Sequence, residues 1–214
     1  MKFEFIYDPV PIIIIRDIFT KKENKEILEE AVKNKKEFEH SVIGKGKESS
    51  FRNNNTSYYD IIYDHDRSKS KLLDIIDTLF KNDKFKQTLI SSPYPIHLFS
   101  KSNYHETQVS RYGDDGQFYK YHIDSFNGDS RLITMVYYFN EEPKKYNGGE
   151  IQFTNSPIYE GKPVDNNAEL ITIEPENNMA VIFGSRIPHT VLPTTSPKEF
   201  NRGRFSVNCW IGIK

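Results

Sequence analysis

The sequence predicts a mainly β protein with supporting N-terminal helices. Beyond about residue 100, short runs rich in Val, Ile, Tyr and Phe alternate with turn residues. Before residue 100 apolar residues recur at helical spacing instead. The 13 tyrosines and 15 phenylalanines mark a folded rather than a disordered chain. Many short strands at regular spacing indicate a sandwich or barrel, and the helices that precede them would cover one sheet.

The opening "MKFEFIYDPVPIIIIRDIF" reads as strand, centred on Ile12–Ile15. Glu4, Asp8, Arg16 and Asp17 surround the isoleucine run and Pro9 and Pro11 interrupt it, so it is too short to span a membrane and lacks a signal-peptide layout. A cytoplasmic, soluble protein with no membrane partner is expected. Thr20 with Glu23 forms a capping box ahead of a helix through "KKENKEILEEAVKN", whose Ile27, Leu28, Ala31 and Val32 share a core-facing stripe. Residues 41–57 are polar and read as an exposed loop leading into a strand near "SYYDIIY". A second helix is expected from Ser70 to about Phe80, and Pro93 and Pro95 break the chain beyond it.

The strands follow as "TQVSRY", "QFYKYHID", "RLITMVYYF", "EIQF", "ELITI", "NMAVIF", "HTVLP" and "RFSVNCWI", with a long polar loop at about 154–168. No repeat or linker interrupts the series. One domain, 1–214, is therefore expected, with helices and strands of 1–100 supporting a core of 101–214. The net charge of −1 argues against a nucleic-acid partner, which would want a basic face. A lone cysteine, Cys209, excludes an intrachain disulfide and gives no support to a cysteine-rich zinc site.

His122 and Asp124 are two residues apart in "QFYKYHID", so on a strand both side chains point the same way. His189, between Pro188 and an apolar run, is the second histidine on a strand. The remaining histidines, 40, 65, 97 and 105, read as surface or satisfied polar groups. Two histidines and one carboxylate on one face suit non-haem Fe(II) with open positions, whereas a closed zinc site would need a fourth ligand. In the final strand, alternation puts Arg204, Ser206, Asn208 and Trp210 on one face and Phe205, Val207, Cys209 and Ile211 on the other. An inward guanidinium is unfavourable unless it meets an anion, and a dicarboxylate would supply one bidentately. Arg204 could instead pair with a protein carboxylate or emerge at a rim, and Arg202 has the same parity.

The segments "RYGDDGQFYKYHID", "RLITMVYYFN", "NGGEIQF", "MAVIFGSRIPHTV" and "GRFSVNCW" resemble, in that order, the 2-oxoglutarate- and Fe(II)-dependent dioxygenases of the prolyl 4-hydroxylase-like branch. This branch includes oxygen-sensing and ribosomal-protein prolyl hydroxylases, and the likeness covers roughly residues 105–214. It implies a double-stranded β-helix, the cupin-like jelly roll, as the catalytic core. It also implies His122, Asp124 and His189 as iron ligands and Arg204 as the holder of the distal carboxylate of 2-oxoglutarate. Tyr112, Tyr138, Thr134, Asn208 and Trp210 would line the cosubstrate pocket, with Arg131 and the Arg52 strand on the substrate side. Fe(II), 2-oxoglutarate and dioxygen are the implied cofactors, with ascorbate as support. The expected reaction hydroxylates an unactivated C–H, a prolyl residue of a protein or peptide, and converts 2-oxoglutarate to succinate. A free amino acid or small metabolite is the alternative substrate, and a non-catalytic β-sandwich binding module is the alternative class.

Overall fold

A computed structural model describes residues 1–41, 50–113, 116–126 and 128–214. Strands β1 (Lys2–Ile6) and β2 (Ile12–Arg16) precede helix α1 (Lys21–Lys33). The Thr20 capping box is present: its hydroxyl accepts from Glu23 N, and Glu23 accepts from Thr20 N at 2.8 Å. Short strands β3 (Glu39–His40), β4 (Arg52–Asn53) and β5 (Asn55–Tyr58) lead to helix α2 (Tyr59–Ile62). Helices α3 (Lys71–Lys81) and α4 (Asp83–Ile90) follow, capped by Ser70 and Asn82. The β-rich part comprises β6 (Tyr104–Tyr112), β7 (Gln117–His122), β8 (Arg131–Phe139), β9 (Asn147–Gly148), β10 (Ile151–Thr154), β11 (Ile158–Tyr159), β12 (Lys162–Pro163), β13 (Leu170–Ile173), β14 (Met179–Gly184), β15 (His189–Thr195) and β16 (Arg204–Gly212).

The expectation of a double-stranded β-helix, the jelly roll, is corrected by the sheet topology. Eight strands form one sheet in the order β1-β2-β14-β8-β16-β6-β5-β3, and a six-stranded sheet runs β13-β10-β15-β7-β4 with β9 on β15. Both are open, and neither closes into a barrel. The physical reason lies at the edges. β2 pairs with β14 and β5 with β6, so strands from the first sixty residues extend both sides of the larger sheet. Those edges are continued outward rather than joined to the smaller sheet.

Alternation along the strands divides the core into two layers. Ile13, Ile15, Met135, Tyr137, Phe205, Val207 and Cys209 face the helices and pack on Ile27, Leu72, Leu73, Ile76 and Leu79. Ile12, Ile14, Tyr138, Val181 and Phe183 face the other way, onto Ile151, Phe153 and Ile173 of the smaller sheet. Each such side chain contributes about 1.5 to 3 kcal/mol on burial. Cys209 is free and buried, and burial pushes its thiol up to about 12, which leaves it inert.

Three local expectations change. The loop expected at 41–57 contains β4 and β5, although residues 42–49 lie outside those described. The strand expected through 57–63 ends at Tyr58, because the Asp60 carboxylate is drawn to Thr107 N and Arg67 and holds the next residues in a helical turn. Helix α4 and the β11–β12 hairpin were not anticipated from the pattern. No helix among the described residues is long and apolar enough to cross a membrane.

Arg67 ties this helical layer to the sheet by meeting Asp60, Asp77 and Thr107. Burial works to raise the Asp77 carboxyl, yet hydrogen bonds from His105 and Arg67 and the charge of Arg67 outweigh it and bring it down to about 2. A carboxylate depressed on folding adds stability above its ordinary value of 3.8, and that stability is lost as pH falls toward 2. The expected loss from this group is about 1 to 2 kcal/mol, allowing for its partial exposure. Melting followed from about pH 7 to about pH 2 should show this step, and Asp77→Asn should flatten it.

Candidate active site

β7 and β15 pair antiparallel with His122 directly opposite His189. The backbone turns after His122, so Asp124 stands just beyond the strand rather than on it, with its N–H donating to Ser185 O at 2.8 Å. The turn swings the carboxylate in front of both rings. Asp124 Oδ1 is 3.6 Å from His122 Nε2, and Oδ2 is 3.6 Å from His189 Nε2. Among the described residues these three side chains gather closely enough to hold one ion, with ligand atoms within 4.8 Å of one another.

The surroundings fix each ligand atom. His122 Nδ1 lies 2.8 Å from Lys120 O and His189 Nδ1 lies 2.9 Å from Ile187 O, so both Nδ1 atoms donate outward and both Nε2 atoms face inward. Burial, the neighbouring His189 and the charge of Arg52 hold His122 well below the usual histidine range, against the pull of its Lys120 hydrogen bond; the ring is therefore neutral and able to ligate. Tyr119 stacks on it at 3.5 Å, while Phe153 and Phe183 enclose His189. Thr134 Oγ1 donates to Asp124 Oδ2 at 2.8 Å, which obliges Ser185 Oγ, 3.0 Å away, to donate to Thr134. Thr134, expected on the cosubstrate wall, thus orients the carboxylate.

The same cavity, about 220 Å³, reaches Arg204. Thr134 and Tyr138 are four residues apart on one face of β8, about 13 Å along the strand, and Tyr138 stands at the Arg204 level. Arg204 is 1% exposed, and its Nε and Nη1 have no hydrogen-bond partner among the described residues. Its guanidinium lies over the rings of Tyr112 and Tyr138, at 4.7 and 4.8 Å. Both phenols are raised by burial, and the hydroxyl of Tyr138 has no acceptor among the described residues. Arg202, by contrast, is exposed in the turn before β16. A buried guanidinium with unmet donors is a receptor for an anion.

Residues 107–212 match the model of the 2OG-Fe(II) oxygenase superfamily, and the motif-bearing strands, ligand triad and Arg204 lie within that span. The chain belongs to that superfamily. An uncharacterized PKHD-type hydroxylase of Synechocystis is 38% identical over 104 residues, 47% of this chain and 34% of its own. Egl nine homolog 1 of Homo sapiens is 31% identical over 108 residues, 49% of this chain and 22% of its own. The chain thus spans about a third or less of the length of the curated relatives it matches. In fold it is similar to a Pseudomonas putida prolyl-4-hydroxylase, with TM-score 0.65, 18% identity and coverage of 95% and 92% of the two chains. It is likewise similar to a Trichoplax adhaerens prolyl hydroxylase solved with a hypoxia inducible factor peptide, with TM-score 0.68, 18% identity and coverage of 94% and 83%.

The remaining expected residues also reach the cavity. Trp210 lies under Arg131, whose guanidinium is 4.2 Å from the indole, pairs with Glu106 at 2.8 Å and donates to Asp124 O at 3.2 Å. Arg52 of β4 donates to Asn54 Oδ1 and Gln108 Oε1 and covers Tyr119. Asn208 Nδ2 donates to Ser110 Oγ at 3.0 Å and lies 3.3 Å from Gln108 Oε1.

Gln108, Tyr119, Ser185, Thr194 and Gly149 were not singled out from the sequence. Gln108 shares the parity of Tyr112 on β6, and Gly149 closes the "NGG" turn, so each had a signal. Gly149 has φ +74°, and a Cβ there would stand 2.7 Å from Arg204 Cδ and 2.9 Å from Thr194 Oγ1. Gly149→Ala should therefore cost about 1 to 3 kcal/mol in chemical denaturation. It should also raise the concentration of 2-oxoglutarate needed to stabilise the protein.

Proposed function

We propose that the protein is an Fe(II)- and 2-oxoglutarate-dependent hydroxylase acting on a prolyl residue within a protein or peptide. The observation that carries this reading is the pairing, in one cavity, of a His–Asp–His set with a buried guanidinium whose donors are unmet. The residues fit the implied groups. Two imidazoles whose Nδ1 atoms are engaged outward and an acidic side chain suit Fe(II), and a set of three would leave positions open. Bound Fe(II) would couple decarboxylation of 2-oxoglutarate to succinate and carbon dioxide with delivery of one oxygen of dioxygen to a substrate C–H.

The chain's own residues would bind and orient. His122 and His189 would offer Nε2 to the metal, because Lys120 O and Ile187 O hold the opposite nitrogens. Thr134 keeps Asp124 turned inward. Arg204 would take the distal carboxylate bidentately, with Tyr138 donating its otherwise unpaired hydroxyl. Tyr119, Phe153 and Phe183 exclude water from the imidazoles. No acid–base pair is required.

A protein or peptide substrate is supported by likeness to the prolyl hydroxylases, one of them solved with a peptide. The test is 2-oxoglutarate consumption and succinate release with proline-containing peptides and, separately, free amino acids. Peptide-dependent turnover with a gain of one oxygen on proline supports the reading. Stimulation by free amino acids alone defeats the peptide assignment, and metal binding without turnover under any substrate would leave a binding module.

A further inference from the structure

We propose that Gln108 is a specificity-determining residue, a fixed donor that takes a backbone carbonyl of the substrate beside the residue to be hydroxylated; the inference rests on the function proposed above. Gln108 is fully buried, in the middle of β6, and lines the cavity that holds the triad. Its amide orientation is dictated by chemistry. Arg52 Nη2, which can only donate, lies 3.1 Å from one amide atom, so this atom is the oxygen. Ser110 Oγ and Asn208 Nδ2 approach the same oxygen at 3.3 Å. Three donors on Oε1 leave Nε2 turned away from them, and Nε2 is buried with no partner among the described residues.

A buried N–H without an acceptor is unfavourable, and a bound ligand would relieve it. Trp210, two residues beyond the Asn208 that stands opposite Gln108 and 7% exposed, lines the same cavity and carries a second donor, Nε1, without a partner among the described residues. Both are neutral donors. Of the cations lining the cavity, Arg131 pairs with Glu106, Arg52 is hydrogen-bonded to Gln108 and Asn54, and Arg204, whose Nε and Nη1 are unmet among the described residues, would be taken by the cosubstrate in the function proposed above. Unmet neutral donors beside satisfied cations favour neutral acceptors, which a peptide backbone offers, over the free carboxylate of an amino acid.

Gln108→Glu keeps an oxygen for Arg52, Ser110 and Asn208 and replaces the N–H with a second, charged oxygen, so it is read together with Gln108→Met, which removes the N–H without adding charge. Wild type and variant are compared with Fe(II), 2-oxoglutarate and proline-containing peptides, and KM is measured separately for peptide and for 2-oxoglutarate. The expected result is a rise of about tenfold to a hundredfold in peptide KM, with a much smaller change for 2-oxoglutarate. Gln108→Met, which also strips the oxygen, should raise peptide KM at least as far. A rise confined to 2-oxoglutarate would assign the donor to the cosubstrate and overturn the inference, as would an unchanged peptide KM. Wild-type protein that hydroxylates no peptide overturns the proposed function, and this inference with it; wild-type turnover with an indifferent Gln108→Glu variant overturns this inference alone.

Discussion

Asp124→Ala is expected to reduce 2-oxoglutarate turnover by more than about a hundredfold, beyond the 10- to 100-fold that loss of a partner behind a metal ligand produces. Asp124 is the sole carboxylate of the set and the group both imidazoles face. Without it, two neutral nitrogens remain, and a divalent ion loses both charge neutralisation and the third point of the face. Thr134→Val removes only the hydrogen bond that aims Oδ2, so it should fall between, at about tenfold. The decisive measurement is melting with and without Mn(II), since an ion that binds only the folded state raises the midpoint. Asp124→Ala should lose that rise, while the metal-free protein still melts cooperatively.

Arg204→Met should raise KM for 2-oxoglutarate by about 10² to 10³, the equivalent of the 3 to 5 kcal/mol that follows when one member of a buried charged pair is removed. The same change should leave the ligand-free protein as stable as wild type or more so. In the free state Arg204 is a buried cation whose Nε and Nη1 are unmet among the described residues, lying over the faces of Tyr112 and Tyr138, and an apolar chain of similar length relieves that burden. This opposition between ligand-free stability and cosubstrate binding separates a binding residue from a structural one. Arg202→Ala, at an exposed turn, should alter KM by no more than about twofold. Loss of ligand-free stability in Arg204→Met with an unchanged KM would contradict the assignment.

Much of this site was legible because strands carry their own parity. "RFSVNCWI" alternates without interruption, and the structure puts Arg204, Ser206, Asn208 and Trp210 in the cavity and Phe205, Val207, Cys209 and Ile211 against the helices. The capping box at Thr20 and the apolar stripe of α3 likewise depend on neighbours within a few residues. What escaped depends on contacts distant in sequence. β4 is a two-residue strand in a polar stretch and exists because Arg52 pairs with Tyr119. Helix α4 buries only Phe85 and Leu89, too sparse a stripe to stand out. Asp124 reaches the imidazoles from a turn rather than from the strand, and the openness of the larger sheet depends on strands added from far away in the chain, such as β2 on β14.

The central claim is that one ion and one dicarboxylate share this cavity, held by residues 122, 124, 189 and 204. Crystals grown without oxygen in the presence of Mn(II) and 2-oxoglutarate test it most directly. Density is expected for an ion about 2.0 to 2.3 Å from His122 Nε2, His189 Nε2 and one oxygen of Asp124, with the distal carboxylate on Arg204. An ion bound elsewhere, or a carboxylate that leaves Arg204 unpaired, would contradict it.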